Sequence, residues 1–395
     1  MSLSLINRVK YTPWLYHCWN FGGSLVVNIL KVFVKPKKNL IVFVSFGGKR
    51  FDDSPRCIYE EILIDKRFDG FDLVWAFIQP EKFDVGRAHK VKIDTFEYYI
   101  TLLQAACWVT NSSVERGLNF RRKDVFYLNT WHGVPIKKMG SDIAATNKSF
   151  KSKSKGEYAP YNVFTVNGNY DAKIFERVFK LAPNVIKIVG LPRNDTLSYD
   201  NKKEIELPKD KLKLDREKKV ILYAPTFREY NKDKADSCII APPIDWERWE
   251  KELGNDYVVL FRAHYEVVKV MNIRETDFVR IVSTYPNLNE LMLVSDILIS
   301  DYSSIFFDYS ILGRPMLTFC YDYEEYSSKR GMYFDIRKEL DSDNSTQDQL
   351  LESIKTLDVE KAIKRALAFR RKFMEVYGDA SKRCVDLIYD NLKEK

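Results

Sequence analysis

The stretch Ile297-Leu298-Ile299-Ser300-Asp301-Tyr302-Ser303-Ser304-Ile305-Phe306-Phe307-Asp308 decides the fold. Its aliphatic start reads as a buried strand, its serines suit a helix start, and the apolar run ending in an acid reads as that helix. A strand passing directly into a helix is the unit of a parallel, doubly wound sheet. The same alternation recurs outward. Strands are expected at 40–44, 71–78, 108–110, 125–128, 164–166 and 185–189, with helices at 56–65 and 95–106. After a charged stretch at 202–219 the strands resume at 220–223, 257–261, 278–281 and 316–319, and residues from about 347 to 393 read as helical.

With 395 residues the chain exceeds what one hydrophobic core organises, so two domains are expected. Hydrophobic residues at 45 % exclude global disorder, because enough apolar surface is present to offset chain entropy. The formal net charge of +8 is placed unevenly: residues 1–50 hold Arg8, Lys10, Lys31, Lys35, Lys37, Lys38, Lys49 and Arg50 and no acid, while the remainder is neutral. A basic excess confined to one end argues against a nucleic-acid-binding stripe and for a local anionic contact such as a membrane surface. The cysteines lie far apart, and His17, His89, His132 and His264 show no ligand spacing. Neither a disulfide framework nor a protein-held metal is expected.

Residues 11–30 carry no charge, but Pro13, His17, Asn20, Asn28 and the Gly22-Gly23 pair weaken a spanning helix. Trp14, Tyr16 and Trp19 come early and Lys31, Lys35, Lys37 and Lys38 close the segment, a pattern suited to a helix lying among lipid headgroups. A spanning helix and a helix packed on the protein's own core are the competing readings. No small-residue cleavage site follows, so a removed signal peptide is not expected. The expected organisation is an interfacial segment at 1–38, a Rossmann-like domain at 39–200, a linker at 201–219, a second Rossmann-like domain at 220–345 and terminal helices at 346–395.

In open α/β sheets ligands bind beyond the carboxyl ends of the strands, which directs attention to the loops after each strand. In Asn129-Thr130-Trp131-His132-Gly133-Val134-Pro135-Ile136-Lys137-Lys138, an imidazole suited to proton abstraction near neutrality precedes two lysines that can face phosphate. In Gly190-Leu191-Pro192-Arg193-Asn194-Asp195, Arg193 can clamp a phosphate and Asp195 can orient it or cap a helix. Pro225, Thr226 and Arg228 follow another strand, and Arg262, Ala263 and His264 a fourth. Ser303 and Ser304 offer hydroxyls and N–H groups to an anion, and Asp308 can accept from polyol hydroxyls. Each loop alone is equally turn chemistry; their joint placement at strand ends is what points to a site.

The ordered set Ser45-Phe46-Gly47-Gly48-Lys49 with residues 52–59, Thr130-Trp131-His132-Gly133-Val134-Pro135-Ile136-Lys137-Lys138, Gly190-Leu191-Pro192-Arg193-Asn194-Asp195, Leu222-Tyr223-Ala224-Pro225-Thr226-Phe227-Arg228, Arg262-Ala263-His264 and the 301–308 turn resembles the CDP-glycerol glycerophosphotransferases, the primases and polymerases of teichoic acid and some capsules. Val134 stands where that family often has Thr, and Phe227 where Trp is frequent. The resemblance implies a GT-B fold and attack of an acceptor hydroxyl on the β-phosphorus of CDP-glycerol or CDP-ribitol, with CMP leaving.

His132 would then be the base and His264 a second catalytic residue, with Lys137 and Lys138 on the acceptor side. Gly133, Val134, Pro135, Arg193, Arg262, Ala263, His264, Ser303 and Ser304 would meet the donor's phosphates. Pro225, Thr226 and Arg228 would line the nucleotide, and Asp308 would hold alditol or ribose hydroxyls. No cofactor or protein-held metal is required. The implied partners are a lipid-linked acceptor and an anionic membrane surface, with the protein peripheral on the cytoplasmic face; nucleic acid is not expected. Glycerol phosphate is the expected cargo, ribitol phosphate from CDP-ribitol stays open beside it, and a nucleotide-sugar glycosyltransferase is the more distant alternative. A chain of this length without a large N-terminal extension leans to a primase or short-chain transferase.

Overall fold

The computed structural model describes residues 12–144, 161–199, 202–228, 241–263, 267–268, 271 and 273–394. The strands are β1 Leu40–Val44, β2 Asp72–Phe77, β3 His89–Lys92, β4 Cys107–Thr110, β5 Phe126–Asn129, β6 Val163–Val166, β7 Ile186–Ile188, β8 Lys219–Tyr223, β9 Tyr257–Phe261, β10 Val279–Ile281, β11 Ile297–Ser300 and β12 Met316–Thr318. They form two sheets, ordered β3-β2-β1-β4-β5-β6-β7 and β10-β9-β8-β11-β12. The pairings within both are parallel. Each order reverses direction beside its first strand, which places a topological switch point between β1 and β4 and another between β8 and β11. β3 escaped the sequence pattern because only Val91 of it is buried.

The period of two along each strand divides the cores. In β1, Ile41 and Phe43 join one apolar cluster while Leu40, Val42 and Val44 join the cluster on the opposite face. In β8, Val220 and Leu222 separate from Ile221 and Tyr223 in the same way.

The terminal helices are not one unit. Gln347–Lys355 packs in the second domain through Leu350, Leu351 and Ile354, and Val359–Phe373 joins that domain's other face through Ala366, Phe369 and Phe373. Ala380–Lys393 crosses back to the first sheet, where Cys384, Val385, Ile388 and Leu392 cover Ile41 and Phe43. Asp195 receives the Ala380 and Ser381 N–H groups at 2.8 and 2.7 Å, so it holds the start of that helix. Within the expected linker, Lys202–Lys211 is helical.

The helix Pro13–Phe33 turns its polar side inward. Asn28 Nδ2 donates to the Asn119 carbonyl at 2.7 Å, the Asn119 N–H donates to Ser24 Oγ at 2.9 Å, and Asn20 bonds the Gly117 carbonyl. Val27 is buried, with Trp19 and Leu30 packed beside it, so Trp19 is not the outward anchor expected of it. Trp14, Phe21, Leu25, Val26, Ile29, Val32 and Phe33 are exposed. No helix among the described residues is long and apolar enough to cross a membrane.

Candidate functional site

A cavity of about 390 Å³ lies between the two sheets. Its walls come from the carboxyl ends of the strands: Phe46, Arg50, Asp52 and Asp53 after β1, His132 after β5, Arg193 and Thr196 after β7, Ala224 and Pro225 after β8, Arg262 after β9, and Ser303, Ser304 and Asp308 after β11. Gly48 makes the first of these loops possible: its φ is +81°, and a Cβ there would meet the Ala76 carbonyl oxygen at 3.1 Å. Phe46 and Asp53, which line the cavity, and Trp131, next to His132, also have positive φ, of 47°, 63° and 52°.

His132 is held on both sides. Its ring stacks on Trp131 with centroids 4.1 Å apart, and Nδ1 lies 2.7 Å from the Asn111 carbonyl oxygen. A carbonyl only accepts, so Nδ1 carries the proton and Nε2 keeps its lone pair. Burial pulls the imidazole below its usual 6.5, while the Asn111 carbonyl and the Asp53 charge partly offset that effect. The ring is therefore neutral at neutral pH and ready to accept a proton. Asn111 was missed in the sequence; it directly follows β4, and its Oδ1 also takes the Phe46 N–H at 2.8 Å.

Arg193 bridges the two domains. Nη1 meets Asp53 at 3.3 Å, and Nη2 meets the two carboxylate oxygens of Asp308 at 3.1 and 3.0 Å. Burial opposes its charge, but Asp308 and Asp53 outweigh that cost and raise its proton affinity. Asn194 Nδ2 donates to Asp308 at 2.7 Å. Asp308 thus lines the cavity with its carboxylate bonded to Arg193 and Asn194.

Arg262 donates to the Val282 and Tyr285 carbonyls at 3.0 and 2.8 Å. Burial and then the Arg50 charge lower its proton affinity, which Asp52 partly restores. Neither Arg50 nor Arg262 has a carboxylate ion pair among the described residues, so two cations from opposite domains enter one cavity.

Other expected site residues have different positions. Arg228 is 3 % exposed and paired with Asp301 at 2.9 Å and Asp322 at 2.7 Å, its guanidinium about 5 Å from the rings of Tyr302, Tyr321 and Tyr326. It does not line the cavity. Asp301 also receives the Thr226 N–H at 2.9 Å, which draws the loops after β8 and β11 together. Val134 is buried among residues of the second domain, the Pro135 carbonyl accepts from Tyr170 Oη at 2.7 Å, and Ala263 donates its N–H to Ser283 Oγ at 3.2 Å. Lys137 and Lys138 continue a backbone seam with the second domain: Lys137 bridges Met332, and the Lys138 N–H donates to Gly331 at 3.0 Å. Neither lysine lines the cavity. His264 lies outside the described residues. The helix Ile305–Ser310 has six residues, so its dipole is small, and the turn's hydroxyls and N–H groups are what it can offer an anion.

Two parallel sheets closing on a cavity fed by their carboxyl ends define a two-domain α/β protein. The chain belongs to the CDP-glycerol:poly(glycerophosphate) glycerophosphotransferase family, whose model matches residues 26–390. It is 35 % identical over 377 residues to the teichoic acid poly(glycerol phosphate) polymerase of Staphylococcus epidermidis, covering 92 % of this chain and 52 % of that protein. It is 32 % identical over 370 residues to the teichoic acid glycerol-phosphate transferase of Staphylococcus aureus, covering 90 % of this chain and 94 % of the relative. The chain thus spans about half of the former's length and nearly all of the latter's. Among solved structures, the wall teichoic acid polymerase TagF matches with a TM-score of 0.81 at 32 % identity, over 93 % of each chain.

Proposed function

We propose that this protein transfers glycerol phosphate from CDP-glycerol to a hydroxyl of a lipid-linked glycan or polyol-phosphate acceptor, releasing CMP, in teichoic acid or capsule assembly. The observation that carries the reading is the tautomer of His132: Nδ1 is tied to Asn111, which leaves Nε2 as a base in a cavity shared with Arg262, Ser303 and Ser304. In this reading Nε2 takes the acceptor's proton as the acceptor oxygen attacks the β-phosphorus. The bond from that phosphorus to the CMP oxygen breaks, and CMP leaves with the electron pair. Arg262 and Arg50 meet the charge that moves onto the leaving group, Ser303 and Ser304 supply hydrogen-bond donors, and Pro225 borders the nucleotide. Arg193 acts mainly by fixing the two domains against each other through Asp53 and Asp308.

The same reading makes the protein peripheral on the cytoplasmic membrane face. The outward apolar side of Pro13–Phe33 supports it, since those side chains gain burial among lipids, and Lys31, Lys35, Lys37 and Lys38 stand beside it for anionic headgroups. The test is a panel of CDP-glycerol, CDP-ribitol and CDP-sugars with a lipid-linked acceptor. A product heavier by one glycerol phosphate, formed with CMP from CDP-glycerol, is expected. Preferential use of CDP-ribitol would change the cargo, and use of a CDP-sugar would replace the reaction.

A further inference from the structure

Among the described residues four carboxylates line the cavity: Asp52, Asp53, Glu60 and Asp308. Three are occupied. Asp308 holds Arg193 and Asn194, Asp53 holds Arg193 and the Ser54 N–H, and Glu60 holds Arg56 at 2.7 Å. Asp52 has no side-chain donor among the described residues; the Asp53 backbone N–H is the neighbour that favours its charged form. The loop that presents it is fixed, because Ser45 Oγ donates to the Asp52 carbonyl at 2.8 Å. Burial raises the proton affinity of its carboxyl, and the charges of Arg50 and Arg56 work against that rise. Arg50 and Arg262, which have no carboxylate ion pair among the described residues, line the same cavity as this carboxylate.

An ionised carboxylate can only accept hydrogen bonds, and beside two arginines the group that brings both negative charge and donors is a phosphate ester of a polyol. We infer that Asp52 reads the hydroxyls of the donor's alditol while Arg50 and Arg262 hold the phosphate to which it is esterified. This inference rests on the CDP-glycerol reading and transfers to Asp52 the hydroxyl-binding task expected of Asp308. A site that satisfies its buried acceptor with substrate hydroxyls discriminates against ligands lacking them, which makes Asp52 a specificity-determining residue.

The test is calorimetric titration of the full chain and of Asp52→Asn with CDP-glycerol and with CDP, which has the phosphates but no alditol. Asp52→Asn is expected to bind CDP-glycerol about ten- to hundredfold more weakly, the usual worth of a hydrogen bond to a charged group. Its affinity for CDP is expected to hold or rise, since a negative charge near the phosphates is gone. Equal weakening of both ligands would make Asp52 merely structural, and unchanged CDP-glycerol binding would remove it from the alditol site; either result overturns the inference. A wild-type protein with no preference for CDP-glycerol over CDP would overturn the donor reading itself. If Asp52→Asn does not fold, Asp52→Ser removes the charge at the same position and is read in the same way.

Discussion

Gly133 and Ser304 meet across the domain boundary so closely that a Cβ on Gly133 would stand 2.8 Å from Ser304 Oγ and 3.2 Å from Ser304 Cβ. The loop bearing His132 therefore rests directly on the turn proposed to hold phosphate. Gly133→Ala is expected to push these surfaces apart and lower turnover by about ten- to hundredfold, as small misplacements of reacting groups do. Steady-state kinetics alongside a melting curve checks this; unchanged turnover would mean that the contact is not used in catalysis.

His132→Ala is expected to reduce turnover by about two to four orders of magnitude with little change in CDP-glycerol affinity, because the role proposed for it is on the acceptor. The pH profile carries the sign of its shift. Burial lowers the imidazole below 6.5, so the neutral base persists on acidification past the ordinary histidine range. Activity should stay level through neutrality and fall only below pH 6.5, with the acid limb absent from the residual activity of the variant. An acid limb above 6.5 would contradict the assignment.

Arg228→Met is expected to destabilise the second domain by about 3–5 kcal/mol, because Asp301 and Asp322 would be left as buried charges without their cation. Chemical denaturation measures this directly. A variant of wild-type stability with weakened CDP binding would instead return Arg228 to the nucleotide side.

The alternation of strands and helices was legible because buried parallel strands are continuous apolar runs. β1 at Leu40–Val44 and β9 at Tyr257–Phe261 match the expected ranges. β3 was hidden because an edge strand buried only at Val91 carries no such run. At the site, strand-end position picked out His132, Arg193, Arg262, Ser303 and Ser304, all of which line the cavity. It could not tell a cavity cation from a buried structural one. Arg193 and Arg228 look alike in sequence, but Asp53 and Asp308 hold the first at the cavity and Asp301 and Asp322 hold the second inside the domain. Asn111 left no signal beyond its position after β4, since its main-chain carbonyl orients His132 and any residue supplies a carbonyl.

Deleting residues 1–38 is expected to abolish sedimentation with anionic liposomes while leaving transfer to a soluble acceptor analogue largely intact. A gentler variant, Val26→Glu with Val32→Glu, places charge on the exposed apolar side and should weaken sedimentation without disturbing the inward contacts of Ser24 and Asn28. The lysines contribute about 1 kcal/mol each near such a surface, so part of the binding should be lost at high salt. Undiminished liposome binding by the truncated protein would place the anchor elsewhere in the chain.

The most direct measurement of the central claim follows both products of a single reaction, the nucleotide by chromatography and the acceptor by mass, with wild-type protein and CDP-glycerol. CMP should appear in equal amount with an acceptor heavier by one glycerol phosphate, and His132→Ala should slow both together. Release of CDP with an acceptor heavier by glycerol alone would mean that the bond broken lies on the other side of the β-phosphate, and would contradict the account.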